Sequence, residues 1–309
     1  MHKSPLLHFF TYSLLLLELF VLLGKLWWFF ELFTHYPLYY AIFAAILLVL
    51  ALLFRHFKLA LIVSVLLSLS LGTLAPYLNR TPSFLNTATS FQEADLTVLS
   101  NNFYFLNDNF KEIQDLLIEE NPEIFVIQEA GVQWKEALPL FQENYPYLSM
   151  TWKTGVQGMV IGSKIQGSFQ EISLGSYFGL EFMPQDQSFR LLVVHPPAPL
   201  NLAWAKERNA QFEDLSTYAR QSLLPTLVIG DFNSTPWSPF FQKLLKKSGL
   251  TDARIGFGLV PSWHANNPLF RLPIDHVLIK GGFQAVNFYT TRALSSDHWP
   301  IVVKLKFSD

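Results

Sequence analysis

Leu227-Val228-Ile229-Gly230-Asp231-Phe232-Asn233-Ser234-Thr235-Pro236 is the segment from which the rest of the chain is most easily read. Its three leading apolar residues spell a strand buried on both faces, and Gly230 lets the backbone run close to its neighbour. Side chains alternate across a strand, so Asp231 and Asn233 are expected to point the same way, about 7 Å apart, with Phe232 anchored behind them. A carboxylate and an amide side by side at a strand's exit can orient a water and hold an anionic oxygen. The same letters also make good turn and cap chemistry. Taken alone, the segment leaves both readings open.

The flanking sequence repeats the theme of a strand with a polar exit. Leu96–Ser100 reads as a strand delivering Asn101 and Asn102. A helix follows from about Asn109, with Phe110, Ile113, Leu116 and Leu117 on one face and Asn121-Pro122 as its stop. Ile124–Gln128 is a buried strand ending in Glu129, and Arg190–Val194 is another, ending in His195-Pro196-Pro197, where the prolines disfavour helix. Between them, Ser149–Phe182 holds short apolar runs divided by glycines, which suits an antiparallel meander. Asn201–Arg220 has helical character, with Trp204, Arg208, Phe212, Leu215 and Ala219 along one side; Arg208 there is expected to pair with an acid. Ser238-Pro239 opens a short helix that Gly249 closes, and its Lys243, Lys246 and Lys247 read as a solvated face. Pro273–Ile279 is a strand with Asp275-His276 embedded in it, and Ser295-Ser296-Asp297-His298-Trp299-Pro300 leads into a final strand, Ile301–Phe307. Each polar residue has an ordinary structural explanation, Glu129 as a solvated carboxylate, Asn102 as a turn residue, His195 as a core histidine. An acid followed by histidine twice within some twenty residues is harder to explain that way.

The first eighty residues are of different material, almost wholly apolar. Leu6–Gly24, Tyr36–Phe54 and Leu59–Leu78 each approach the ~20 residues needed to cross a bilayer, with Trp27, Trp28, Tyr36, Tyr39, Tyr40 and Tyr77 near their ends, where amphipathic rings favour the headgroup region. The expected organisation is a three-helix membrane anchor over 1–80, a polar linker over 81–93 and one large domain over 94–309. Glu18, inside the first segment, is read as packed and neutralised against the other helices. Lys3, Arg55 and Lys58 against Lys25 and Arg80 favour a cytoplasmic amino terminus and an extracytoplasmic large domain. The chain has no cysteine, which removes structural disulfides without fixing the compartment. From Thr81 onward it carries 17 Lys and Arg against 22 Asp and Glu, a net of −5. Such a domain is a poor general binder of duplex nucleic acid, whose affinity comes mainly from neutralising phosphates, and it needs cations in its site to welcome a phosphate.

In this order, Asn102 after its strand, Pro122 to Glu129 ending in Gln-Glu, His195, Gly230-Asp231-Phe232-Asn233, Ile274-Asp275-His276 and Ser296-Asp297-His298, the chain resembles the endonuclease/exonuclease/phosphatase superfamily from about Leu96 to its end. The resemblance implies an α/β (α+β) four-layer sandwich, two mainly antiparallel sheets packed face to face with helices outside. It also implies a Mg²⁺-dependent hydrolase of phosphoric esters, with Mn²⁺ as a second fitting ion. On that pattern Glu129, with Asn102 and Asp297, would hold the metal. Asp231 would activate water, Asn233, Asn102 and His195 would face the phosphate, and His298 steered by Asp275 would stabilise it. Tyr104 stands where abasic endonucleases of this superfamily carry an additional acid, and the span from Glu129 to His195 leaves little room for DNA-gripping loops. Partners on this reading are membrane lipid and a phosphate ester, whether nucleic acid, phospholipid headgroup or small ester. The alternative is a membrane-tethered binding module on the same scaffold.

Overall fold

The computed structural model describes residues 4–78, 94–153, 155–267 and 269–307, so the linker expected over 81–93 lies outside the described residues. The amino-terminal part consists of α1 (Pro5–Leu23), the short α2 (Trp28–Glu31) running into a 3₁₀ turn (Leu32–His35), α3 (Pro37–Leu53) and α4 (Phe57–Leu78). Its core is Leu14, Ala44, Leu47, Val63 and their neighbours, where α3 and α4 pack as a hairpin against α1. Pro5–Leu23 and Phe57–Leu78 are long and apolar enough to cross a bilayer. Pro37–Leu53 reaches that length only together with Trp28–His35, from which it is bent by 64°. The three expected spans are thus two helices, or three if the bent pair counts as one. Glu18 is buried and accepts a hydrogen bond from Ser70 of α4 at 2.7 Å.

The large domain follows as β1 (Leu96–Asn102), α5 (Phe110–Glu120), β2 (Ile124–Gln128), the short α6 (Trp134–Ala137), β3 (Tyr147–Thr151), β4 (Met159–Ser163), β5 (Gly167–Leu174), β6 (Tyr177–Pro184), β7 (Arg190–Val194), α7 (Leu202–Gln221), β8 (Thr226–Asp231), α8 (Pro239–Ser248), β9 (Thr251–Asp252), β10 (Asp275–Lys280), β11 (Phe283–Thr290) and β12 (Ile301–Phe307). Two six-stranded sheets result, β11-β12-β1-β2-β4-β3 and β5-β6-β7-β8-β10-β9. Their facing surfaces bury Val98, Val126, Ile161, Val193, Ile229, Val277 and Val303 in one core. Outside, α5 and α6 cover the first sheet and α7 and α8 the second. This is the expected four-layer sandwich. One expectation needs correction: 149–182 is not one meander, because β3 and β4 pair in the first sheet while β5 and β6 pair in the second.

Each sheet has one parallel pair at its centre, β1 with β2 and β7 with β8, and each pair is joined by a crossover helix, as parallel strands require. Their exits therefore lie together. β12 and β10 run antiparallel to β1 and β8, so their entries fall at the same end. Six segments that carry chemistry converge there for reasons of strand direction alone.

The helical bundle docks on this domain through buried polar contacts. Glu31 pairs with Arg208 of α7 at 2.5 Å, both side chains fully buried, and accepts from Ser238 at 2.6 Å. Arg208 thus pairs with an acid as expected, although Trp204, placed on the same side, is 45 % exposed. Removing one partner of a buried ion pair leaves an uncompensated charge, at a cost of about 3–5 kcal/mol. Glu31→Ala is accordingly expected to raise deuterium exchange at the start of α7 and across 234–238 while β8 stays protected. Unchanged exchange in both segments would show that the contact does not hold the two parts together.

Candidate active site

Burial of the apolar runs carries the polar exits into one cleft. Val228 lies under α7 and α8, Ile229 faces the other sheet, and Gly230 has φ +149°, with the Val194 carbonyl where a Cβ would stand. Glycine is what lets β8 come this close to β7. Phe232 is fully buried against Phe212 and Phe241, which fixes Asp231 on the cleft side.

Asp231 and Asn233 do not alternate along a strand as expected. The strand ends at Asp231, and Asn233 turns into the left-handed region with φ +48°. Its backbone N–H then donates to Asp231 Oδ1 at 2.7 Å, and its amide donates to the Pro196 carbonyl at 3.0 Å and lies 3.3 Å from His195 Nε2. The segment thus takes the turn that its residues also allow, and it places Asp231 and Asn233 beside His195. Glu129 and Tyr104 also have positive φ, +53° and +64°; non-glycine residues there cost energy and cluster at functional sites.

Asn102 is the hub. Its amide donates to Glu129 Oε1 and to Asp231 Oδ2, both at 3.0 Å, linking the two sheets. Its own Oδ1 accepts from the Tyr104 backbone. His195 Nδ1 donates to the Val156 carbonyl at 3.3 Å, so Nε2 faces the cleft, 3.8 Å from Glu129 Oε1 and 3.7 Å from Asp231 Oδ2. His298 Nδ1 lies 2.8 Å from Asp275 Oδ2, and its Nε2 lies 3.6 Å from Asp231 Oδ2. Asp297 is held differently. Its carboxylate accepts from Trp263 Nε1 at 3.1 Å, and no hydrogen bond among the described residues joins it to Glu129 or Asn102. His276, the other half of the first acid–histidine pair, points away from the cleft. It packs against Phe241 and bonds the Ser234 carbonyl at 2.8 Å, a structural role.

The electrostatics divide the carboxylates. Burial pushes Asp231 up to about 6, against the pull of His298 and His195. Burial also works against ionisation of Asp275, but the charge and hydrogen bond of His298 hold it below the usual carboxylate range. For His298 burial alone would favour the neutral ring; Asp275 and Asp231 overcome it and push the imidazole up to about 10. The cleft therefore pairs a carboxylate able to take a proton near neutrality with a charged imidazole.

A divalent cation suits this donor set. Glu129, Asp231, Asp275 and Asp297 surround the cleft, and no Lys or Arg forms an ion pair with any of them among the described residues. Asp275 Oδ1 is buried without a hydrogen-bond partner. Asp231, Asp275 and His298 also bring ligand atoms within 4.8 Å of one another. A metal there would compete with the short Asp275–His298 hydrogen bond.

Two contacts were not apparent from sequence. Ser296 Oγ donates to the Asn102 carbonyl at 2.7 Å and accepts from the His298 N–H, tying the last site loop to the first. Trp263 restrains Asp297 as described, and no local pattern in the sequence marks it.

Residues 98–298 match the model of the Endonuclease/Exonuclease/phosphatase family. Among solved structures, an endonuclease/exonuclease/phosphatase from Beutenbergia cavernae is similar with TM-score 0.59 and 17% identity, covering 70% of this chain and 72% of that one. A functionally unknown conserved protein from Enterococcus faecalis gives 0.58 and 16%, covering 69% and 100%. The 3' phosphatase NExo from Neisseria, solved with product DNA hairpin, gives 0.56 and 19%, covering 69% and 100%. No curated protein matches the sequence.

Proposed function

The chain belongs to the endonuclease/exonuclease/phosphatase family, and from that premise we propose that it is a membrane-anchored, Mg²⁺-dependent hydrolase of phosphoric esters. One observation carries the reading: Glu129 from one sheet and Asp231 from the other are bonded to the same Asn102 amide, with His298 3.6 Å from Asp231. Structural roles alone do not require three such groups to meet across a sandwich.

Glu129 and Asn102, with Asp297 from the facing loop, would hold the ion, which Mg²⁺ suits because the ligands are oxygens. When bound, it supplies positive charge at the phosphoryl oxygens. Asp231 accepts a proton from water as the water oxygen bonds to phosphorus. The ester P–O bond breaks, and the departing oxygen takes up a proton, so ester and water give alcohol and phosphate. Asn233 donates to a non-bridging oxygen, and His195, once it carries a proton on Nε2 as well as Nδ1, does the same. His298, oriented by Asp275, places its N–H and charge where negative charge grows in the transition state.

Assay of the full chain against single-stranded DNA, phospholipid vesicles and bis(para-nitrophenyl) phosphate tests this reading. The expected outcome is hydrolysis of at least one in Mg²⁺ or Mn²⁺ that chelator abolishes. Metal binding without turnover of any of them would leave only a tethered binding module.

A further inference from the structure

The bundle meets the catalytic domain at the end that carries the cleft. Besides the Glu31 contacts with Arg208 and Ser238, His35 Nδ1 lies 2.8 Å from Thr235 Oγ1, four residues past Asp231. Tyr39 stacks on Phe270, and its hydroxyl accepts from the Arg271 N–H at 3.0 Å. The Tyr77 carbonyl, near the end of α4, accepts from the Gly258 N–H at 2.9 Å. These contacts come from one end of the bundle, where α1 and α4 finish and α3 begins. They land on segments lying between Asp231 and Asp275 or on α7 beside them. The cleft thus stands next to the plane at which the apolar helices emerge.

A second, independent feature lies on the loops around the cleft. Leu106, between Asn102 and α5, is 65% exposed, and Val132, after Glu129, is 55% exposed. Leu200, after His195, is 71% exposed, and Leu269, on the loop that returns to Asp275, is 70% exposed. Val156, whose carbonyl accepts from His195, is exposed as well. A single exposed leucine is ordinary, and Leu223 at the far end of the domain is one. An apolar side chain on each of several neighbouring loops forms a rim, and such a rim beside an apolar bundle is favoured at the headgroup–acyl boundary over water.

Resting on the phosphoesterase reading above, we propose that this rim sits on the bilayer and that the phosphate hydrolysed is that of a membrane lipid. The acyl chains stay in the leaflet while the headgroup phosphate enters between Glu129, Asp231 and His298. The net negative charge of the domain, unhelpful for gripping a polynucleotide, is no obstacle to a single headgroup delivered with a cation.

The test uses the full chain in nanodiscs of phosphatidylcholine with a minor share of phosphatidylglycerol. Because the chain has no cysteine, Leu106→Cys, Leu200→Cys, Leu269→Cys and the control Leu223→Cys each accept one fluorescent label. Nitroxide-bearing lipids are expected to quench the first three at least roughly twofold more than the fourth if the rim lies in the interface. Combining Leu106→Ser, Leu200→Ser and Leu269→Ser is expected to slow hydrolysis of the nanodisc lipid at least ~10-fold, through lost interfacial burial, and to leave hydrolysis of bis(para-nitrophenyl) phosphate unchanged. Equal quenching at all four positions overturns the docking. Turnover of the soluble ester without any lipid hydrolysis overturns the lipid substrate and leaves the phosphoesterase reading standing. Failure on both substrates overturns that reading, and this proposal with it.

Discussion

Asp231→Asn is expected to lower turnover of a soluble phosphodiester at least ~10³-fold while the protein stays folded, the loss that follows if the proposed proton acceptor is removed from the transition state. The substitution keeps the shape of a side chain that is 1% exposed and an oxygen able to accept from the Asn233 N–H. It removes the proton acceptor and its charge. With burial holding Asp231 up to about 6, the carboxylate is largely ionised at neutral pH and still basic enough to take a proton. Turnover of the native chain should therefore fall as pH drops through about 6. Comparison of initial rates at matched thermal stability checks this, and a loss smaller than tenfold would remove Asp231 from the reaction.

His298→Gln should cost about 10²–10⁴-fold, the range for a positioned proton-bearing group. Its ring is charged because Asp275 and Asp231 flank it, and the raised value of about 10 means that the charge is present up to alkaline pH and lost above it. The native profile should decline above about 10. In the Gln variant the alkaline decline should disappear and the acid limb should move upward from about 6, because the His298 charge that holds Asp231 down is gone. Persistence of the alkaline limb in the variant would assign it to another group.

Much of this site was legible because strand burial and strand ends leave strong marks. Ile124–Gln128, Arg190–Val194 and Thr226–Asp231 are buried along nearly their whole length, so an apolar run with a polar exit announces both the strand and the residue it delivers. Cap chemistry was equally plain: Ser238 accepts from the Phe240 and Phe241 N–H groups, and Gly249 closes the helix at φ +75°. Less could be read where the deciding contact is distant. Nothing in the short apolar runs of 149–182 says which sheet a hairpin joins, since that is decided by pairing with strands distant in sequence. The partner of Arg208 lies 177 residues away in the short helix α2 of the amino-terminal bundle, beyond any local pattern. Asn233 reached the cleft through a left-handed turn rather than strand alternation, a conformation that asparagine tolerates and that the turn-forming letters around it allow without singling it out. Asp297, carried over with Glu129 and Asn102 as an ion ligand, is bonded to Trp263 instead, and its proposed role depends on the ion to bring the three together.

A double-mutant cycle tests most directly whether the two sheets build one catalytic unit. Turnover of bis(para-nitrophenyl) phosphate in Mg²⁺ would be measured for the native chain, Glu129→Gln, Asp231→Asn and the pair. Groups that act on one transition state are strongly non-additive, so the expected result is a double variant scarcely slower than the slower single variant. Losses that simply multiply, or a Glu129→Gln variant with native turnover, would contradict a shared site.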